Sequence, residues 1–171
     1  MSELRTTALI QTLVRRAESI SCAESLTGGL VTSELIRPTG ASEVVKGGLV
    51  AYATDIKLNV LGVPDEVISR HGTVSEETAL AMARGARKLF GSYWGVATTG
   101  VAGPGEHEGK PAGTVFIALV GGASGAEISR VQHHAFSGSR EAVRRESSRE
   151  AVNMVALILD LAREQNEQSR R

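Results

Sequence analysis

The chain has 171 residues, 42% hydrophobic and 22% charged, with 19 Lys+Arg balanced by 19 Asp+Glu. That length suits one domain, able to bury about 70% of its unfolded surface without a metal or disulfide staple, and the zero net charge gives no electrostatic reason to expect nucleic acid or an anionic membrane as a partner. The lone Cys22 excludes an intrachain disulfide framework, no apolar run approaches the ~18 residues of a membrane span, and Met1–Arg16 is too charged for a secretory signal, so a single cytoplasmic domain over 1–171 is expected.

Residues from about Ser2 to Ala17 predict a helix, with Leu9, Leu13 and Ala17 four apart on one face. The run Ser19–Ala23 predicts a strand that enters the turn Ser25-Leu26-Thr27-Gly28-Gly29, and Leu30–Ile36 predicts the helix leaving it. After the breaker cluster Arg37-Pro38-Thr39-Gly40, the apolar stretch Gly47–Ala53 reads as a strand, and its near-continuous hydrophobicity suits a buried rather than an edge position. Thr54 or Asp55 is placed to cap a short helix over Ile56–Leu61, and Pro64-Asp65-Glu66 opens another reaching about Arg70.

Ser75–Phe90 carries the strongest helix signal: Ser75 as N-cap, Glu76 and Glu77 in the first turn, Arg87 and Lys88 in the last, Gly91 beyond. Its stripe Ala79, Met82, Ala83, Ala86, Leu89 and Phe90 is a core face. Trp94–Thr98 predicts a strand ending in the glycine-rich turn Thr99–Gly105, with a polar loop over Glu106–Pro111. Thr114–Val120 and Glu127–Ala135 read as an antiparallel hairpin joined by Gly121–Gly125. Ser139 starts the last long helix, with Ala151, Met154, Val155, Ile158, Leu161 and Ala162 toward the core and a polar, fraying tail from about Glu164. Helices alternating with apolar strands, then a hairpin and a covering helix, predict a three-layer α/β/α sandwich around a mixed, mainly parallel sheet.

In open α/β sheets, ligands bind beyond the carboxyl ends of the strands. Three stretches fall there: Ser25–Gly29, Tyr52 to Lys57, and Thr99–Gly105. The first has two readings. Ser25 or Thr27 caps the helix while Gly28 and Gly29 ease the turn, or Ser25 is a nucleophile held off the backbone, with free N–H groups of Thr27–Gly29 facing an anion. A serine needs a neighbour to take its proton, and no histidine sits in the motif. A lysine whose pKa is lowered by burial can serve, with a tyrosine hydroxyl as relay, and Tyr52 and Lys57 stand at a suitable place for both. Taken alone, Tyr52 is ordinarily a half-buried packing residue and Lys57 a solvated helix charge. Arg140 at the start of the last helix suits a phosphate or carboxylate, against the plainer reading of surface charge shared with Arg144, Arg145 and Arg149. Gly103–Lys110 has neither the spacing nor the following Ser/Thr and helix of a phosphate loop, and the Ser25 turn is not a G-x-S-x-G elbow. Four histidines without paired spacing and three aspartates make no metal site.

Assembled, the motifs resemble those of the CinA C-terminal domain family. The matching stretches are Ala23–Gly29, Gly47–Tyr52, Lys57 with Leu61–Pro64, Gly72–Glu77, Ala97–Gly105, Pro111–Val115 and Phe136–Arg140, in order across roughly residues 5–160. The resemblance implies hydrolysis of the carboxamide of nicotinamide mononucleotide to nicotinic acid mononucleotide and ammonia, in pyridine-nucleotide salvage. It implies Ser25 as nucleophile with Lys57 and Tyr52 as activating partners. It also implies contacts to substrate from Thr99 and Arg140, no metal or organic cofactor, and a homo-oligomer. Thr27, Gly28, Gly29, Gly100 and Gly103 complete the expected substrate-binding set, with oxyanion donors near Thr27–Gly29 or Gly100–Gly103. Where the family motif carries Cys, this chain has Leu26, and its Glu106–Lys110 loop is shorter than in many relatives. Family members also occur fused to a second domain, so the competing expectation is a nucleotide- or partner-binding module without catalysis.

Overall fold

The computed structural model describes residues 2–122 and 126–168. A five-stranded sheet has the spatial order β2-β1-β3-β4-β5, with β1 at Ile20–Glu24, β2 at Val45–Val50, β3 at Trp94–Gly100, β4 at Thr114–Gly121 and β5 at Ile128–Ala135. β2, β1 and β3 are parallel, and β4 runs antiparallel to both β3 and β5. Four strands therefore share one direction. The register aligns Glu24 with Val50 on one side and with Thr98 on the other, so three strand ends and their following turns emerge together.

Helices cover both faces. On one lie α1 (Ser2–Arg16), α2 (Leu30–Ile36), α3 (Ala41–Val44) and α7 (Arg140–Gln168), packed on Ile20, Cys22, Trp94, Val96, Ile117 and Leu119. On the other lie α4 (Thr54–Asn59), α5 (Asp65–His71) and α6 (Glu76–Phe90), against Ala23, Ala97, Ala118 and Val120. The two interfaces differ in texture. The α7 side is built from large aliphatic groups, whereas α6 approaches the sheet through Ala79, Ala83 and Ala86. At Gly95 the carbonyl of Ala83 comes so near that a Cβ has no room, and Gly85 meets the Leu61 backbone in the same way. This close approach draws α4 and its connection down onto the carboxyl end of β1.

Several elements differ from expectation. β2 is an edge strand, not a buried one. Its Gly47 and Gly48 are pressed by Phe90 and Thr32 from opposite layers, so the apolar run records helices on both faces while its outer edge stays unpaired. The short α3 carried no readable signal. Ala17 leaves the helix with φ 52° and is exposed, and the buried face of α1 is Leu9, Ile10 and Leu13. Ser75 does cap α6, accepting from the Thr78 N–H, but Leu89 is exposed while its neighbour Phe90 packs on Gly47 of β2. The N-cap of α4 falls to Ala53, with no side-chain bond, in place of Thr54 or Asp55. Helix α7 continues through Glu164 to Gln168, past the expected fraying point. The side chains of Leu161 and Ala162, and the hairpin residues Ala123–Gly125, lie outside the described residues.

Gly85→Ala is expected to destabilise the fold by about 1–2 kcal/mol in urea unfolding. The added Cβ meets fixed Leu61 backbone, and overpacking of ~1–3 kcal/mol outweighs the ~1 kcal/mol that alanine gains in helix propensity.

Candidate active site

The turn after β1 is organised by Glu24, the last strand residue, which is buried with only 1% of its surface exposed. Its Oε2 accepts from the N–H groups of Gly29 (2.9 Å) and Val31 (3.1 Å) and from the Thr27 hydroxyl (2.7 Å). Its Oε1 accepts from the N–H and hydroxyl of Thr32 (2.8 and 2.6 Å). The orphan donors at the start of α2 are thus met by a carboxylate from the preceding strand. Neither Ser25 nor Thr27 caps the helix, and the N-cap residue Gly29 makes no side-chain cap bond.

Ser25 is held by its N–H donating to the Thr98 carbonyl (3.0 Å), while the Ala51 N–H donates to the Glu24 carbonyl (2.8 Å). These bonds extend the sheet pairing beyond the strand ends and set the Ser25 side chain facing α4. Lys57, from the middle of α4, is almost fully buried, and its Nζ lies 3.2 Å from Ser25 Oγ. The same amine donates to the carbonyls of Ala51 (2.8 Å) and Tyr52 (3.0 Å). Burial pushes the Lys57 pKa down from the usual lysine range to about 8, while the charge of Glu108 works in the opposite direction. A lysine in this state is a competent proton acceptor near neutral pH.

The Tyr52 side chain is 63% exposed, and its hydroxyl bonds Arg140 (3.1 Å) instead of Ser25. Tyr52 meets Lys57 through its carbonyl, so of the two partners considered for Ser25, Lys57 alone is within hydrogen-bond distance. Arg140 also donates to the Gly103 carbonyl (2.8 Å), which pins the rim of the second glycine-rich turn. The resulting cleft of about 500 Å³ is lined by Ser25, Leu26, Tyr52, Lys57, Thr99, Gly100, Gly103 and Arg140 among others.

Thr27, Gly28 and Gly29 do not line it. Thr27 is buried with its hydroxyl on Glu24 and the Thr98 hydroxyl, Gly28 and Gly29 supply the positive φ values of the turn, and the anion that the Gly29 N–H meets is Glu24 itself. Thr99 is on the cleft wall, with its hydroxyl donating to the Thr73 carbonyl (2.6 Å). Of the backbone donors near Ser25, the N–H groups of Ser25 and Val101 are spent on Thr98 and Thr114. Among the described residues no partner takes the N–H of Leu26, Ala102 or Gly103, all three of which line the cleft.

Three contributors escaped the sequence reading. Arg144, one turn beyond Arg140 and grouped with surface charge, donates to the carbonyls of Leu26 (3.0 Å) and Thr27 (3.1 Å), clamping the Ser25 turn from α7. Thr73 and His107 also line the cleft, and the hydroxyl of Thr73 lies 3.3 Å from His107 Nε2. The i, i+4 spacing of Arg140 and Arg144, which puts both on one helix face, was the available signal. The Thr73–His107 contact spans 34 residues and had none. Among the described residues no group of three or more His, Cys, Asp and Glu side chains is placed to hold a metal, and no helix is long and apolar enough to cross a membrane.

The profile of the CinA C-terminal domain matches residues 3–159. The chain belongs to the CinA C-terminal domain family. It is 43% identical over 152 residues to a CinA-like protein of Anaeromyxobacter sp. (strain K), covering 88% of this chain and 36% of the relative. It is 42% identical over 142 residues to a putative competence-damage inducible protein of Bacillus subtilis (strain 168), covering 83% and 33%. This CinA domain therefore spans about a third of the length of these curated relatives. Among solved structures, a CinA superfamily protein from Klebsiella pneumoniae 700603 superposes with TM-score 0.85 at 30% identity, covering 94% of this chain and 98% of that one. The competence/damage inducible protein CihA from Agrobacterium tumefaciens gives 0.83 at 34% identity, covering 93% and 95%.

Glu24→Ala in this CinA domain is expected to cost about 3 kcal/mol or more in urea unfolding, since buried donors to a charged group lose their acceptor. A loss under ~1 kcal/mol, typical of an exposed cap, would contradict the Glu24-centred turn.

Proposed function

We propose that this domain is an amidohydrolase that converts nicotinamide mononucleotide to nicotinic acid mononucleotide and ammonia. The observation that carries the reading is the 3.2 Å separation of Ser25 Oγ from the buried amine of Lys57. In the proposed reaction, neutral Lys57 takes the Ser25 proton as Oγ bonds to the carboxamide carbon. The carbonyl oxygen gathers negative charge and meets N–H groups from Leu26, Ala102 or Gly103. Lys57 then returns the proton to the departing nitrogen, which leaves as ammonia while the acyl group stays on Ser25. Water hydrolyses that ester with Lys57 again acting as base, releasing the acid and restoring the serine. Arg140, steadied by Tyr52 and the Gly103 carbonyl, supplies positive charge at the rim for the substrate phosphate. Tyr52 acts in this scheme on Arg140 and through its carbonyl on Lys57. A binding module of the same fold has no use for a lysine desolvated against a serine, and this favours the enzyme over that alternative.

Ser25→Ala is expected to reduce ammonia release from nicotinamide mononucleotide by at least ~10³-fold while leaving the fold intact by circular dichroism. Retention of near wild-type turnover by this variant defeats the mechanism. If the purified protein binds the nucleotide but releases no ammonia, the binding-module reading replaces it.

The pH dependence follows from Lys57. Its amine is charged below about 8 and neutral above, so kcat/KM should rise with pH through that region, with about a tenth of the molecules active at pH 7. Lys57→Met should remove the limb along with the activity. Arg140→Ala is expected to raise KM about tenfold with a smaller change in kcat, as read by steady-state assays.

A further inference from the structure

We propose that Glu108 is a positioning residue for the Ser25–Lys57 centre: its carboxylate fastens the 103–111 loop, part of which lines the cleft, through Thr73. The link to catalysis rests on the amidase reading above, whereas the structural role stands without it.

The loop is a tight hairpin closed by reciprocal backbone bonds between His107 and Lys110, both 3.0 Å. Glu108 occupies its tip with φ 50°, a left-handed conformation unusual for glutamate that is sustained here by its contacts. Its Oε2 accepts from the Thr73 N–H (2.8 Å) and its Oε1 from the Thr73 hydroxyl (2.9 Å). Burial alone raises the Glu108 pKa, but the Thr73 bonds, the neighbouring His107 and the Val74 N–H outweigh it and hold the carboxyl below its usual range. Gly72, with φ 79°, leaves the carboxylate a place that any Cβ would fill. Thr73 in turn receives the Thr99 hydroxyl on its carbonyl, so one residue ties the loop to the cleft wall. Gly103, Pro104, Glu106 and His107 of the same loop face the cleft, and Glu108 thereby decides where its roof sits.

The charged and titratable groups around the centre are Lys57 from α4, Tyr52 from the β2–α4 connection, Arg140 and Arg144 from α7, Glu106 and His107 from the loop with Glu108 on Thr73, and Glu24 beneath the Ser25 turn. Glu24 is saturated by its own donors. Glu108 is the group whose charge opposes the desolvation of Lys57.

Charge and shape separate by sign. Removing the carboxylate charge while the loop stays closed favours neutral Lys57 and moves its titration to lower pH. Opening the loop admits water, relieves desolvation and moves it to higher pH. The chain has four lysines (Lys46, Lys57, Lys88, Lys110), so ¹³Cε-lysine NMR resolves Lys57, with Lys57→Met giving the assignment. In the near-isosteric Glu108→Gln the Lys57 midpoint is expected to fall by about half a pH unit. In Glu108→Ala the His107 and Lys110 amides are expected to exchange with solvent at least ~10-fold faster. A Lys57 midpoint unchanged or raised in Glu108→Gln overturns the electrostatic role, and unaltered exchange in Glu108→Ala overturns the fastening role. Both readouts need no substrate. An active Ser25→Ala variant would sink the amidase reading and leave these results in force.

Discussion

Glu24 is the constraint on which the rest of the site depends. A carboxylate at the end of a buried strand would be costly if left unpaired, and five donors from the following turn and helix compensate it. The consequence reaches beyond stability. Because Glu24 neutralises the positive end of α2 from within, that helix start is closed as a site for a substrate anion, and Ser25 is released from capping. Arg144 completes the arrangement from the other layer by taking two carbonyls of the same turn. A short, glycine-containing segment is thereby held at both its donors and its acceptors, which leaves the Ser25 hydroxyl as the group turned toward α4.

Lys57 illustrates a second balance. Its amine is buried, which disfavours the ammonium, yet two carbonyls and the serine oxygen surround it, which prevents the site from collapsing onto an unsatisfied polar atom. The carbonyls come from Ala51 and Tyr52, just past the end of β2, where the Ala51 N–H continues the pairing onto Glu24. The amine is therefore positioned where β2 ends and the Ser25 hydroxyl at the end of the strand beside it. Glu108 reaches Thr73 from a separate loop.

The two faces of the sheet serve different ends. On the α6 side, alanine and glycine let helix and sheet approach closely, and that compactness seats α4 against the carboxyl end of β1. On the α7 side, large aliphatic side chains make the thicker core and deliver Arg140 and Arg144 from one helix start to two different turns. One helix therefore bears on both the Ser25 turn and the Gly103 turn.

Local sequence alone determined the elements with strong periodicity or punctuation: α2, the Ser75-capped α6, β3, and the hairpin strands. It also determined that Ser25, Tyr52–Lys57 and Thr99–Gly105 would share one end of the sheet, because topology sends successive strand ends the same way. Tertiary structure decided what periodicity cannot encode. The run Gly47–Val50 looks buried from its composition, but edge position depends on which strand lies alongside, and nothing in β2 itself specifies that. Thr27–Gly29 reads as an anion cradle, and its anion is a side chain five residues upstream of Gly29, folded back by the turn. The tyrosine and lysine were interchangeable as partners of Ser25 until α4 directed the amine inward and left the phenol on Arg140. Thr73 and Glu108 act across separations of 26 and 35 residues, to Thr99 and Thr73 respectively, where no local pattern carries information. Spacing along a chain reports which face of an element a residue occupies, but the identity of what meets that face is set only when the layers pack.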